Sequence, residues 1–294
     1  MVISPDLDIL QYKTLRGVKY FELVAEEVKQ ELLPGLFIKA WGYNGSTPGP
    51  TIIVNPGDNV NIRVYNNLKQ ATSVHWHGLD VPNLMDGVPY IEPSPKIEPG
   101  SYFDYHFKIN NPPGTHMYHS HFLSCNQIMM GLMGGFIIQK PFDKIDKDFF
   151  LMLQEFKVEN IPPYTVGEGV YSIDPSSHNF NFFTMNGKCF PNVTPLTVKY
   201  GEQVRVRFAN AMMNSHPIHL HGHQFQITAA DGNDLSTYNS MRKNTILISS
   251  GETWDIEFNA YNLGTWPLHC HIPHHMTNNM TEGDGGMLTT VHYE

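Results

Sequence analysis

The sequence predicts an all-β protein made of two tandem Greek-key domains, each a sandwich or a barrel. Short apolar runs alternate with polar residues along the chain, and its 294 residues include 24 glycines and 21 prolines. Closely spaced turn signals are typical of folds built from many short strands. Hydrophobic residues make up 41% of the chain and charged residues 16%, which is sufficient for sizeable cores.

An internal duplication supports this fold class. Residues 51–67 form two predicted strands about a Pro-Gly turn, and residues 195–210 repeat the pattern at an offset of 144. Farther on, residues 114–121 match residues 264–271 at an offset of 150. A repeat of this length indicates two homologous halves.

The repeats place a first domain at residues 1–142 and a second at residues 143–294. Their boundary lies in Lys140–Asp148, a charged and turn-rich stretch between apolar runs. In the first domain, Val18–Ala25 and Leu36–Trp41 alternate apolar and polar residues, which predicts strands.

Helix has little part in the predicted fold. One or two helical turns are expected near Ala25–Leu32 and Leu123–Met130. No apolar run reaches the roughly 18 residues of a membrane-spanning helix. The N-terminus, Met1–Asp8, has no basic segment followed by an apolar run. No signal peptide is therefore predicted, which fits a mature exported form or a cytoplasmic protein.

Charge and cysteine content exclude several classes of function. The net charge of -9 gives no reason to expect nucleic acid or an anionic membrane as a partner. Three cysteines, Cys125, Cys189 and Cys270, are too few for a disulfide framework. If Cys270 binds a metal, one disulfide at most, Cys125 to Cys189, remains open.

The tripeptide His269-Cys270-His271 carries the clearest chemical signal, with His275 and Met280 after it. Imidazole and thiolate with a weak thioether form the ligand set of an electron-transfer copper site. Successive side chains of a strand point to opposite faces, so the cysteine can bind one metal while its neighbours reach another. The alternative is coincidence in a chain with 16 histidines.

Four His-x-His motifs at matching places in the two halves argue against coincidence. Their members are His75 and His77, His119 and His121, His219 and His221, and His269 and His271. One such pair on a strand is weak support for a metal, but eight imidazoles in one core would be costly to bury without partners. A metal cluster to which both halves contribute accounts for all eight.

These motifs, in this order, resemble the four copper-binding motifs of the multicopper oxidases, which include laccases, bilirubin oxidases and metal oxidases. The resemblance runs from about residue 45 to the C-terminus. Most laccases have three domains, whereas this chain has two, so it is similar to the small two-domain laccases with the mononuclear copper in the second domain. The resemblance implies cupredoxin-like β-barrels and about four coppers per chain.

The resemblance also implies a role for each ligand. The implied ligands are His216, Cys270, His275 and axial Met280 for the type 1 copper, His75 and His219 for the type 2 copper, and His77, His119 and His271 for one type 3 copper with His121, His221 and His269 for the other. In this scheme substrate electrons pass one at a time from the type 1 copper through Cys270 to the cluster. There dioxygen takes four electrons and becomes two waters.

The first half lacks the thiolate. Ser120 stands where the second half has Cys270, and Cys125 stands where it has His275. We interpret this position as a vacated type 1 site, which also argues against a nitrite reductase arrangement. We expect Cys125 to be a buried structural thiol.

Asp86 is a candidate proton relay. In Met85-Asp86-Gly87 it matches an acidic position that the family uses near the cluster, although Asp-Gly is also a common turn sequence. Some relatives carry a second acid, a glutamate, in the loop after the type 1 cysteine. That loop here reads Ile272-Pro-His-His-Met276, so this route is not predicted.

The resemblance extends to assembly and substrate. Three-domain relatives build the cluster between their first and last domains. With no spacer domain here, the first domain of one chain is expected to meet the second domain of the next in a homotrimer. Phenols and aromatic amines are the leading substrates. Oxidation of cuprous, ferrous or manganous ions is an alternative in a chain with 14 methionines, and a copper carrier is another.

Overall fold

The computed structural model describes residues 1–294, and nearly all of its regular structure is β-strand. The strands of the first half are β1 (Val2–Ile3), β2 (Lys13–Leu15), β3 (Val18–Leu33), β4 (Leu36–Tyr43), β5 (Gly49–Val54), β6 (Asn59–Asn66), β7 (His75–His77), β8 (Tyr102–Lys108), β9 (Gly114–His119) and β10 (Met133–Ile138). The strands of the second half are β11 (Lys147–Phe156), β12 (Gly169–Ser172), β13 (Phe182–Met185), β14 (Leu196–Val198), β15 (Gln203–Asn210), β16 (His216–Leu220), β17 (Phe225–Ala230), β18 (Asn233–Asp234), β19 (Arg242–Lys243), β20 (Thr245–Ile248), β21 (Thr253–Asn259), β22 (Thr265–Cys270) and β23 (Leu288–Tyr293). The all-β prediction is confirmed.

Helix is confined to α1 (Ser124–Gln127) and two 3-10 turns, Asn83–Met85 and Pro273–Met276. The helical turn expected near Leu123–Met130 is therefore confirmed. The turn expected at Ala25–Leu32 is wrong, because these residues continue β3 and pair with β4 from Ala25 onward. None of the helices is long and apolar enough to span a membrane.

Each half folds into two sheets whose inner faces share one core. In the first half the strand orders are β12-β4-β3-β6-β8, with β2 beside β3, and β5-β10-β9-β7. In the second they are β1-β11-β15-β21-β17-β18, with β13 beside β11 and β19 beside β17, and β14-β23-β22-β16-β20. Buried residues from both sheets of each half form one apolar cluster.

The duplication seen in the sequence is repeated in the strand register. His75 on β7 pairs with His119 on β9, and His219 on β16 pairs with His269 on β22, both antiparallel. The two copies of the repeat therefore bring their His-x-His motifs side by side in the same way.

The two halves exchange short strands, which the sequence did not predict. The N-terminal strand β1 pairs in parallel with β11 of the second half, and β12 pairs in parallel with β4 of the first. A third apolar core combines buried residues of both halves, among them Met117, Met133 and Met152. The predicted boundary at residues 142 and 143 falls between β10 and β11.

A buried group of polar side chains also joins the halves. Arg207 donates to both carboxylate oxygens of Asp148, at 2.7 and 2.9 Å, and to Asp255 at 3.0 Å. Thr115 on β9 donates to the same Asp255 at 2.6 Å. Since charges taken out of water must be paired, this group fixes β9, and with it His119, against the second half.

Candidate metal centres

Four histidines of the first half meet at one end of its smaller sheet. The ring of His75 lies 5.3 Å from that of His119 and 5.5 Å from that of His121, centroid to centroid. His77 Nδ1 lies 3.2 Å from His119 Nε2. Strand alternation explains the arrangement, because Trp76 between the two β7 histidines is fully buried in the core on the opposite face.

The second half repeats this group with His219, His221, His269 and His271. His219 lies 5.7 Å from His269 and 5.6 Å from His271 between ring centroids. His221 Nε2 lies 2.9 Å from His269 Nε2. Every close ring pair among the eight histidines joins members of the same half. One chain therefore presents two separate four-histidine groups.

Backbone carbonyls fix one ring nitrogen of several of these histidines. Nδ1 of His75 lies 2.9 Å from the Asp86 carbonyl, and Nδ1 of His219 lies 2.7 Å from the Asn244 carbonyl. In the same way Nδ1 of His119 and of His269 meet the carbonyls of the residues that follow them, at 3.0 and 2.9 Å. A carbonyl accepts only from N–H, so Nε2 keeps its lone pair for a metal.

Burial favours the neutral form of four of these imidazoles. It lowers the pKa of His119 to about 3 and also lowers the pKa of His77, His221 and His269 from the usual value. A neutral imidazole is the form that binds metals. Each group therefore contains two imidazoles that burial holds in the metal-binding form.

A second kind of centre lies inside the second half. His216 on β16, Cys270 on β22 and His275 in the Pro273–Met276 turn are buried, and their ligand atoms all lie within 4.8 Å of one another. The two Nδ1 atoms are 3.1 Å apart, and Cys270 Sγ lies 3.4 Å from that of His275. Two imidazoles and one sulfur at this spacing fit a copper ion of the electron-transfer kind.

Metal entry at this centre requires the loss of one proton, from the thiol of Cys270. Burial raises the pKa of the Cys270 thiol to about 12 and lowers the pKa of His275 to about 3. The thiolate is the ligand form, so a metal must displace the thiol proton, whereas His275 already offers its lone pair.

The predicted alternation at residues 269–271 is present. Cys270 pairs with Ile218 in the ladder and is part of the apolar core, whereas His269 pairs with His219 in the four-histidine group. On each side of Cys270, a single peptide unit therefore links the buried centre to a histidine of the four-histidine group.

The matching position of the first half contains a hydrogen-bonded polar group. Buried Ser120 donates to Gln127 Oε1 at 2.5 Å, and Thr72 donates to the same oxygen at 2.8 Å. Cys125 is exposed, so the prediction of a buried thiol is wrong: the α1 turn carries it to the surface. Cys125, Cys189 and Cys270 are all free thiols, so the disulfide left open by the sequence is not formed.

Asp86 lies beside the first group, as predicted. Its Oδ1 is 3.3 Å from His75 Nδ1, in addition to its carbonyl contact with the same ring nitrogen. Gly87, at φ +84°, allows this approach, because a Cβ there would lie 1.8 Å from the Val74 carbonyl oxygen. The Asp-Gly turn thus presses Asp86 against β7.

Comparison with known proteins agrees with this donor set. Two family profiles, both described as multicopper oxidase, match residues 26–143 and 165–282. A blue copper oxidase from Nitrosomonas europaea superposes with a TM-score of 0.82 at 33% identity, over 93% of this chain and 85% of that one. This chain belongs to the multicopper oxidase family. Its two tandem domains are cupredoxin-like, and members of the family are copper-dependent oxidoreductases that use dioxygen.

Two curated relatives of this chain are longer than it is. Copper resistance protein A of Pseudomonas syringae pv. tomato is 30% identical over 74% of this chain and 42% of its own length. Laccase-1 of Cryptococcus neoformans var. grubii serotype A is 30% identical over 64% of this chain and 34% of its own length. This multicopper oxidase thus spans less than half the length of either relative.

The structure places two methionines of the loop after His275 differently in this multicopper oxidase. Met280, the methionine predicted as a ligand, is 42% exposed on the loop and has φ +63°. Met287 is fully buried beside Cys270 in the core. Its carbonyl accepts from Cys270 N–H and its N–H donates to the His275 carbonyl, so its backbone contacts two ligand residues. The spacing of the family motif favoured Met280, because the course of the loop between Met280 and Met287 cannot be read from the sequence.

Proposed function

We propose that this protein is a laccase-like oxidase that takes single electrons from phenols or aromatic amines and transfers them to dioxygen. The observation that carries the proposal is Cys270, which lies in the buried centre while its neighbours His269 and His271 belong to the four-histidine group. Such a placement serves electron transfer between two centres and has no use in a site that only stores metal.

The proposed copper sites follow from these groups. The type 1 copper would be held by His216, Cys270 and His275, with Met287 as a further sulfur ligand; the type 2 copper would be held by His75 and His219; the type 3 coppers would be held by His77, His119 and His271 for one ion and by His121, His221 and His269 for the other. Bound copper would supply the one-electron steps and the reduction of dioxygen at about four ions per chain. Backbone carbonyls hold His75, His119, His219 and His269 in the tautomer that leaves Nε2 free for a metal, and burial keeps the type 1 position away from water.

The proposed cluster needs two chains. Its ligands come from both four-histidine groups, yet no close ring pair joins the two groups within one chain. If the first half of one chain meets the second half of the next, a head-to-tail ring closes and brings the groups together. A homotrimer is the proposed assembly, with one three-copper cluster at each contact between subunits.

Oxidation of metal ions is the second candidate for the same site. One relative is named for copper resistance, and Met276 lines a cavity of about 500 Å³ together with His221, His269 and His271. The methionine content of the chain suggested cuprous ion as a substrate. Against this candidate, Met129 and Met133 are buried core residues. Such methionines are ordinary packing residues.

Oxygen consumption tests the proposal. The copper-loaded protein is supplied in parallel with a phenol, cuprous ion and manganous ion, and copper content is measured on the same sample. We expect about four coppers per chain, an intense blue thiolate band and fastest oxygen uptake with the phenol. Faster uptake with a metal ion would favour the second candidate, and bound copper without oxygen uptake would favour a carrier.

Asp86→Asn is expected to lower kcat roughly 10- to 100-fold, in the range typical of residues behind a metal ligand. The amide keeps the size of the side chain but cannot take up and release a proton. The backbone carbonyl still holds His75, so copper content should stay at the wild-type value. Steady-state oxygen uptake and metal analysis check this, and an unchanged kcat would contradict the relay role.

Met287→Leu is expected to raise the reduction potential of the type 1 copper and to change the blue band. Leucine fills a similar volume in the core but offers no sulfur, and loss of a weak axial ligand favours the reduced ion. Met280→Leu is the matched control and should leave both quantities unchanged. Redox titration of the blue band measures both variants. A raised potential in Met280→Leu with no change in Met287→Leu would return Met280 to the proposed ligand set in place of Met287.

A further inference from the structure

Glu155 on β11 contacts the edge of His216 that faces away from the cysteine. Glu155 Oε2 lies 2.8 Å from His216 Nε2, and both side chains are fully buried. The opposite ring nitrogen, Nδ1, lies 3.1 Å from His275 Nδ1 and 3.8 Å from Cys270 Sγ. The imidazole of His216 is thus held between a carboxylate and the other type 1 ligands.

The carboxylate is itself anchored. Its second oxygen, Oε1, accepts from the backbone N–H of Met213 at 2.9 Å and from that of Asn214 at 2.7 Å. Two fixed donors at one oxygen require an acceptor there and set the plane of the carboxylate. Oε2 is therefore presented to His216 as a rigid acceptor.

A rigid acceptor at Nε2 selects the tautomer of His216. A ring that donates from Nε2 keeps the lone pair on Nδ1, the atom that faces Cys270 and His275. Without this acceptor, a buried neutral imidazole is free to carry its proton on either nitrogen. The contact thus prepares His216 for metal binding before any metal arrives.

The negative charge of Glu155 would also act on a metal bound at this centre. Glu155 forms no ion pair with lysine or arginine, and His216 is its sole charged-group contact within 4.0 Å. In a buried site, a negative charge near an ion favours the more highly charged form of that ion. For copper this is the cupric form, so such a charge lowers the reduction potential.

We propose that Glu155 is a positioning residue of the type 1 centre, which sets the tautomer of His216 and lowers the reduction potential of the copper bound there. The inference rests on the proposed function, because it takes His216 as a ligand of that copper. Glu155 lies 61 residues before His216, on a strand that carries no metal ligand.

The reduction potential of the copper-loaded enzyme tests the charge. Glu155→Gln keeps the size of the side chain and removes the negative charge. Its single amide oxygen must face the N–H groups of Met213 and Asn214, so the variant also removes the acceptor at His216 Nε2. We expect the potential to rise by at least about 59 mV, a tenfold change in the one-electron equilibrium. Glu257→Gln is the matched control, because Glu257 is a partly buried carboxylate of the same half, bonded to Arg205, and should leave the potential unchanged. An unchanged potential in Glu155→Gln would overturn the charge effect.

The tautomer is tested without copper and without any variant. Long-range nitrogen–proton NMR correlations of ¹⁵N-histidine-labelled, metal-free wild-type protein should show His216 with a proton on Nε2 and none on Nδ1. Glu155→Leu, where it folds, should show loss of that preference. A proton on Nδ1 of the wild type would overturn the positioning role. If the wild type gave this tautomer but no blue band with copper, the proposed function alone would fail.

Discussion

Cys270→Ser is expected to abolish the blue thiolate band and to reduce oxygen uptake to background. A serine hydroxyl is a hard, weakly acidic donor that replaces neither the soft copper ligand nor the sulfur path to the neighbouring histidines. The eight histidines of the two surface groups are untouched, so the variant should still bind close to three coppers per chain. Absorption spectra, metal analysis and oxygen uptake measure the three outcomes.

Cys125→Ser is the control for this variant. Cys125 is an exposed free thiol on the α1 turn, so its loss should change neither the blue band nor the rate. If Cys270→Ser oxidised a phenol at the wild-type rate, the electron path through Cys270 would be wrong.

His119→Ala and His269→Ala are each expected to stop oxygen uptake while the blue band remains. Each variant removes one imidazole from one four-histidine group, whereas His216, Cys270 and His275 form a separate buried centre. Reduction of the blue band by a phenol without oxygen uptake, followed in a stopped-flow instrument, is the expected signature. His178→Ala, a change at an exposed histidine outside both groups, should behave as wild type. Normal oxygen uptake in either group variant would remove that histidine from the cluster.

Most of the proposed ligands could be read from the sequence because their spacing is local. A His-x-His pair on a strand presents both rings on one face whatever the rest of the fold does, and the duplication then supplies the partner strands. The same reasoning predicted that Cys270 lies on one face of its strand and that His269 and His271 lie on the other. These predictions depend on strand periodicity, which is the most reliable signal in a sequence.

Features that strand periodicity does not reveal depend on the path of a loop or on contacts between distant strands. Met280 and Met287 lie in the same turn-rich loop, and only its backbone course decides which side chain enters the core. Cys125 aligns with a ligand, yet its helical turn points outward. Glu155 has no motif that marks it, because its contact with His216 joins residues of two different sheets.

The structure also shows how the two copies of the repeat differ at the buried centre. Ser120 and Gln127 fill the first copy of the buried centre with ordinary hydrogen bonds, while Cys270 and His275 keep ligand atoms in the second. Both halves retain their surface histidines. In the proposed enzyme both halves therefore build the oxygen-reducing cluster, and the second half alone delivers electrons to it.

Complementation between His119→Ala and His269→Ala tests this account most directly. The two variants are co-expressed with different tags, and the mixed assemblies are purified through both tags in turn. In a mixed ring of three chains, one of the three contacts joins an intact first half to an intact second half, so about a third of wild-type oxygen uptake should return. Mixed assemblies that stay as inactive as each variant alone would contradict a cluster shared between chains.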